Sequence, residues 1–332
     1  MSKSRTPTAR LLDAPDYVAD LVAAINAAKT RVAITSMIIA GDKTTNALFT
    51  ALKAAVKRGV SVDVVADSFT FSEFGGHFNP FKQYAARSKA ARASGRELQA
   101  AGVSFTWLDD RLKPNPFAGV THTKWSVVDD LCYVFGGVNL YAEGIADNAD
   151  YMFRINDKRL ADTLVQQQAA LLEHPAPEYP GYEGAWDGDT WYIDSGKPND
   201  SAIYAQACLL AAKAKHILYV SQYSPSGPLA RLLREHDAAC YYNLPQNAGF
   251  PTNIMLRYDQ YTNKIPSLYT RTKYIHAKFI IFTLPGGKKA AITGSHNFSY
   301  KGVVFGTREI ALATHNADIV HQLEDFYSAN IA

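Results

Sequence analysis

A histidine and a lysine two positions apart occur twice in the chain, each time at the head of an apolar run. THTKWSVVDD holds His122 and Lys124, and YIHAKFIIF holds His276 and Lys278. On an extended strand, residues two apart share one face. Each imidazole is therefore grouped with its own ammonium, while Trp125, Val127 and Asp129, and in the second case Phe279 and Ile281, are directed to the opposite face, where a hydrophobic layer can cover them. A chain that repeats so particular a pair repeats the framework presenting it, so the pattern calls for two diverged copies of one unit.

The lead-in to each pair agrees. A helix over about 15–29 carries Tyr17, Val18, Leu21, Val22 and Ile25 on one stripe. It is followed by the strand RVAITSMII, a helix over about 45–58 closed by Gly59, and the strand VSVDVVAD. The second half restarts with a helix over 203–213, the strand HILYVSQY, a helix over 228–237 and a strand near 253–258. Such alternation predicts an α/β protein. Residues 1–172 read as the N-terminal unit and 201–332 as the C-terminal one; the Pro-, Gly- and aromatic-rich stretch 173–200 reads as the connector.

Each pair is followed by a Gly-containing turn with an asparagine, GGVN ending at Asn139 and GSHN ending at Asn297. His122 to Asn139 is 17 positions and His276 to Asn297 is 21, the extra four falling in the hairpin LPGGKK. A carboxylate comes next on a further strand, Asp150 in NADYMFRI and Glu309 in TREIAL. A lone H-x-K is a weak signal. Two copies, each with Asn and a carboxylate in the same order, are a strong one.

On these residues the chain resembles the phospholipase D superfamily, whose signature is H-x-K-x(4)-D followed by G-[GS]-x-N. HTKWSVVD, ending at Asp129, fits the full form; GGVN and GSHN fit the second element. FGGVNL followed by DYMFRI most resembles the cardiolipin synthase and phosphatidyltransferase branch. The resemblance implies a phospholipase D-like fold: two α/β units related by a pseudo-twofold, helix-flanked mixed sheets, and the site at their interface. It departs at Thr283, where the family Asp of the second copy would fall. Parity sets that position away from the reactive pair, so its loss is expected to affect packing more than chemistry.

The resemblance also implies phosphodiester cleavage through a phosphohistidine, without a metal or other cofactor. His122 is then the nucleophile and His276 the acid, an assignment the residues alone leave open. Lys124, Lys278, Asn139 and Asn297 would hold the phosphoryl oxygens, and Asp150 and Glu309 would each orient one imidazole. Asp129 is expected to cap its strand end. Ser295 is a candidate donor to phosphate, which its counterpart Gly137 cannot match by side chain. His296, at the variable position of GSHN, reads as a lining residue.

The segment 68–84, SFTFSEFGGHFNPFKQY, holds five phenylalanines. It reads either as an irregular loop filling the sheet end or as a lipid-facing lid in which Phe74 and Phe78 meet the substrate. The basic run 82–96 reads as a solvated helix face that would also suit an anionic bilayer. A net charge of +3 is too balanced to announce a nucleic-acid binder. Cys132, Cys208 and Cys240 lack metal-ligand spacing and read as reduced core residues. MSKSRTPTAR is no signal peptide, and no apolar run is long enough to span a bilayer, so a cytoplasmic protein with peripheral membrane contact is expected. The expected substrate is a phospholipid, its phosphatidyl group passing to water or an alcohol. The alternatives are a metal-independent nuclease of the same superfamily, acting on DNA or RNA, and a silent lipid- or nucleic-acid-binding module.

Overall fold

A computed structural model of the chain describes residues 9–77, 79, 81–108, 119–174, 178–247 and 252–332. Its strands are β1 (Ala9–Asp13), β2 (Arg31–Ser36), β3 (Ser61–Asp67), β4 (Ser104–Leu108), β5 (Trp125–Val128), β6 (Leu131–Val134), β7 (Asn148–Ala149), β8 (Tyr151–Asn156), β9 (Tyr182–Trp186), β10 (Asp189–Ile193), β11 (His216–Val220), β12 (Ala239–Tyr241), β13 (Tyr274–Ile275), β14 (Phe279–Thr283), β15 (Lys289–Gly294) and β16 (Ile310–Thr314). Its helices are α1 (Ala14–Ala27), α2 (Asn46–Lys57), α3 (Phe69–Gly75), α4 (Ala86–Ala100), α5 (Lys158–Glu173), α6 (Ala202–Ala211), α7 (Gly227–Glu235), α8 (Thr252–Asn263), α9 (Tyr300–Phe305) and α10 (Ala317–Asn330).

The strands form two mixed seven-stranded sheets, ordered β4-β3-β2-β5-β6-β8-β1 and β12-β11-β14-β15-β16-β10-β9. Superposing β2 on β11 and β5 on β14 brings six strands of each sheet into correspondence. β1 then matches β10, with β4 and β9 as the unmatched edges. The duplicated unit therefore begins at β10, inside the stretch 173–200 that reads as a connector in the sequence. That stretch is more than a link: β9 and β10 form a hairpin, and β10 pairs antiparallel with β16 as β1 does with β8. Its turn residues mark the hairpin, with Asp187 and Gly188 both at positive φ.

Local chemistry accounts for the helices. Asp13 caps α1 by accepting from Asp16 N at 3.2 Å, with Pro15 in the first turn. Asp157 and Ser201 cap α5 and α6, accepting from Leu160 N and Tyr204 N at 3.0 Å. Buried Tyr17, Val18, Leu21 and Ile25 carry the α1 stripe onto the first sheet.

Three expectations are corrected. The strand near 253–258 is helix α8, and the short β12 takes the place beside β11. Neighbouring Ile254, Met255 and Leu256 imitate a strand in sequence, but the helical turn buries Leu256 and leaves Ile254 outside. The segment 68–84 is not wholly irregular, since α3 occupies its first half and buries Phe71. Lastly, both faces of β5 and β14 are packed. Trp125, Val127, Phe279 and Ile281 enter one core shared by the two sheets with α5 and α10. Val128 on the other face joins the α1–α2 core, and Ile280 and Phe282 join the α6–α7 core. Register alone therefore does not free the reactive pair. His122, Lys124, His276 and Lys278 lie just ahead of their strands, at the sheet ends where β2 and β11 finish.

The shared core fixes those two ends against each other. Burying one Ile or Phe side chain is worth roughly 1.5–3 kcal/mol, and this cluster draws such residues from both sheets. Tyr151 Oη and Thr293 Oγ1 add a buried hydrogen bond of 2.6 Å across the seam, and β7 pairs with β13. Gln322 of α10 reaches β1, accepting from Leu11 N at 2.7 Å.

Candidate active site

Backbone pairing between the halves builds the site. His122 N donates to Arg308 O at 2.8 Å, and Arg308 N to Val120 O at 2.9 Å, one residue before Glu309. In the mirror arrangement His276 N and Ala277 N donate to Ala149 O at 3.0 and 2.9 Å, one residue before Asp150. Each carboxylate is thereby delivered to the histidine of the other half. His122 Nδ1 lies 2.7 Å from Glu309 Oε2, and His276 Nδ1 lies 2.5 Å from Asp150 Oδ2. An ionised carboxylate at Nδ1 holds the proton there and leaves Nε2 as the ring's free nitrogen.

Lys124 and Lys278 are buried at 1 % and 0 % exposure. Lys124 Nζ donates to His122 O at 2.7 Å, and Lys278 Nζ to His276 O, so each ammonium folds back beside its own histidine. Lys278 Nζ also sits 3.0 Å from His276 Nδ1, in competition with Asp150 for that nitrogen. Asn139 is buried and Asn297 half-buried, and each has an amide Oδ1 without a hydrogen-bond partner among the described residues. A buried amide left open at one end in both copies is the mark of a ligand position. With the amide turned over, each would present two N–H donors there.

Burial and mutual repulsion set the charges. Burial depresses Lys124 to about 7, helped by Lys278, and depresses Lys278 to about 8. Burial and the adjacent lysines hold His122 well below its usual value and bring His276 to about 3. The carboxylates diverge. Burial pushes the Asp150 carboxyl up, but His276, Lys278 and the Tyr151 N–H at 2.9 Å outweigh it and leave it below its ordinary value. Burial wins at Glu309, which is raised despite His296 and Lys124.

Ser295 differs from its expected role as a phosphate donor. Its hydroxyl donates to Glu309 Oε2 at 2.5 Å and accepts from Ile310 N at 3.0 Å, so its one proton is committed to the carboxylate. Gly137, at the matching position, makes room instead: a Cβ there would stand 2.8 Å from both Asp150 carboxylate oxygens. Asp129 sits at the β5–β6 turn at positive φ and accepts from the N–H groups of Lys29, Thr30 and Arg31. Those bonds and the Thr30 hydroxyl outweigh burial and bring its carboxyl to about 2. In the second copy, Thr283 O accepts from Lys215 N at 2.7 Å in the corresponding place, so a backbone bond replaces part of that cap.

Phe74 is half-buried, edge-on to Tyr141 at 5.6 Å and covered by the Arg87 guanidinium at 4.4 Å, which makes it a wall of a local aromatic cluster. Phe78 lies outside the described residues. The basic run serves α4, where Arg92 covers Phe71 at 4.0 Å and Arg87 pairs with Glu143 at 2.8 Å.

Two residues near the site were not singled out as functional from the sequence. Asp67, at the end of β3, accepts from Thr121 N at 2.7 Å and pins the approach to His122. Its only signal was its place as the last residue of an apolar strand. His296 is buried, with Nδ1 accepting from Phe298 N at 2.7 Å, and its field is felt at Glu309. Among the described residues no group of three or more His, Cys, Asp or Glu is arranged to hold a metal ion.

Residues 21–172 match the family model described as cardiolipin synthase, PLD-like domain. Cardiolipin synthase B of Salmonella typhimurium is 29% identical over 151 residues, and that of Salmonella typhi 28%. The match takes in 42% of this chain and 32% of each relative, so the chain matches about a third of the length of those curated proteins. The crystal structure of phosphatidylserine synthase from Haemophilus influenzae shares the fold, with a TM-score of 0.64 at 14% identity over 97% of this chain and 85% of that one. Polyphosphate kinase from Porphyromonas gingivalis also shares it, with a TM-score of 0.58 at 12% identity over 96% and 46%. Residues 21–172 thus form a PLD-like domain distantly related to cardiolipin synthase B, and the fold over nearly the whole chain is that of the Haemophilus phosphatidylserine synthase structure. Among the described residues no helix is long and apolar enough to cross a membrane.

Proposed function

We propose that the protein is a phospholipase D-type phosphatidyltransferase. The observation that carries this reading is the crossed pairing, in which each half's carboxylate holds Nδ1 of the other half's imidazole. Nε2 of one histidine attacks phosphorus, the P–O bond to the headgroup alcohol breaks, and the other imidazole gives the leaving oxygen its proton. That imidazole, now neutral, takes a proton from water or an acceptor alcohol. The acceptor oxygen attacks phosphorus, and the P–N bond breaks. Lys124, Lys278, Asn139 and Asn297 supply charge and donors to the phosphoryl oxygens throughout.

Burial that keeps the free imidazoles neutral suits the nucleophile. The acid acquires its proton with the substrate, because an anionic phosphodiester between the two lysines favours imidazolium. Asp150, held ionised, is the better partner for that cation, which supports His276 as the acid and His122 as the nucleophile.

The likeness to cardiolipin synthase B supports a phospholipid as donor. The test is incubation with mixed phospholipids including phosphatidylglycerol, and separately with DNA or RNA, all in chelator. Phosphatidic acid or a cardiolipin-type product is expected, and none from His122→Ala with an unchanged circular dichroism spectrum. Strand cleavage without lipid turnover would move the protein to the nuclease class. Inertness toward all substrates would leave a binding module.

A further inference from the structure

Helix α8 wears its apolar stripe on the outside. Ile254, Tyr258 and Tyr261, spaced to share one helical face, are 55 %, 61 % and 83 % exposed, while Leu256 on the other side is buried. Helix α9 adjoins it, with Lys301 Nζ 5.3 Å from the Tyr258 ring centre, and exposes Val304 and Phe305. Both helices stand at the site. α9 begins three residues after Asn297, and its Phe305 O accepts from Gly119 N, three residues before His122. The end of α8 meets the loop after β11 through Asn263 Nδ2 and Ser224 Oγ at 3.4 Å, and Ser221 of that loop donates to Asn297 O at 2.9 Å.

Charge selects what this face meets. Segments 252–274 and 300–307 together hold Arg257, Lys264, Arg271, Lys273 and Lys301 against one acidic residue, Asp259. Exposed tyrosines and aliphatic side chains in segments of net positive charge suit the headgroup boundary of an anionic bilayer. The aliphatic Ile254 and Val304, exposed beside Tyr258, Tyr261 and Phe305, add apolar surface that a bilayer boundary buries and that base stacking does not use.

We propose that the outward faces of α8 and α9 form a docking surface for an anionic lipid bilayer, set beside the site so that docking brings lipid headgroups next to it. The inference deepens the phosphatidyltransferase reading and moves the membrane-facing surface from segment 68–84 to the C-terminal half.

The test is flotation of the full chain with phosphatidylcholine vesicles, with and without phosphatidylglycerol. The wild type is expected to float with the anionic vesicles and only weakly with the neutral ones. Ile254→Ser with Tyr261→Ser should weaken binding about tenfold, and Lys301→Glu about fivefold. His122→Ala should bind as the wild type does. Turnover of a short-chain, monomeric phospholipid should be unaffected by the surface substitutions. Unchanged flotation of the surface variants overturns the proposal, as does binding of single-stranded DNA or self-association in sedimentation that these substitutions abolish while vesicles are ignored. Vesicle binding without lipid turnover would refute the enzyme reading and leave the docking surface standing. Turnover of monomeric lipid without vesicle binding would do the reverse.

Discussion

Each half presents a histidine, a lysine, an asparagine and a carboxylate, and the two halves support them differently. Asp150 is short, stands against Gly137, receives the Tyr151 N–H and is held ionised beside His276. Glu309 is one methylene longer, faces Ser295 instead of glycine and has its carboxyl raised by burial beside His122. A glycine that clears space and a serine that donates a proton are two ways of seating a carboxylate behind an imidazole. The difference teaches that a duplicated site need not stay chemically symmetric, and unequal carboxylates are what a reaction needs when one histidine attacks and the other protonates.

Replacing the histidines puts the sharpest strain on that comparison. His122→Ala and His276→Ala should each lower turnover by about 10⁴-fold. Only His276→Ala should accumulate a phosphoenzyme from a substrate with a good leaving group, detected by acid-labile phosphorus incorporation. Accumulation in His122→Ala instead would invert the assignment of roles. Next come the carboxylates: Asp150→Asn should cost roughly 10³-fold in kcat and Glu309→Gln nearer 10²-fold, because in the proposed roles only His276 becomes an imidazolium for its carboxylate to hold. Equal losses would mean that the halves are equivalent. Exchanging the supports is milder. Gly137→Ser should cost about 10²-fold by displacing Asp150, and Ser295→Gly about tenfold by removing a donor from Glu309.

The lysines give the pH dependence. Their values in the folded protein, about 7 for Lys124 and about 8 for Lys278, are depressed by burial, so the charge proposed to hold phosphate is present below them and lost as pH rises. For the free enzyme, kcat/KM should fall about tenfold per unit between pH 7 and 8 and more steeply, toward about a hundredfold per unit, above 8, where both ammonium groups lose their protons. A flat profile to pH 10 would show both ammonium groups still charged. The smallest effect belongs outside the site. Asp129→Ala should lower stability by about 1 kcal/mol in urea unfolding with activity kept, since Asp129 ties three N–H groups at the start of β2. Its carboxyl is depressed to about 2, so this contribution is present above the unfolded value near 4 and disappears as pH falls through 2. Thr283→Ala should change stability less, because its backbone oxygen makes the bond to Lys215 N.

The sequence by itself determined the duplication, the identity and order of the eight side chains of the candidate site, and the helices that lead into each pair, α1, α2, α6 and α7. These follow from spacing, and spacing is local: residues two apart on a strand, or three and four apart on a helix, keep their relation wherever the element is placed. It misled at α8, where three adjacent apolar residues read as a strand although the helix buries only one flank of them. It also passed over β10, whose place in the sheet is given by a partner strand far along the chain, β16. What only the tertiary structure decided is the crossing. Which imidazole meets which carboxylate depends on residue 308 lying along 120–122, and on residue 149 lying along 276 and 277, contacts between halves that no spacing within either half encodes.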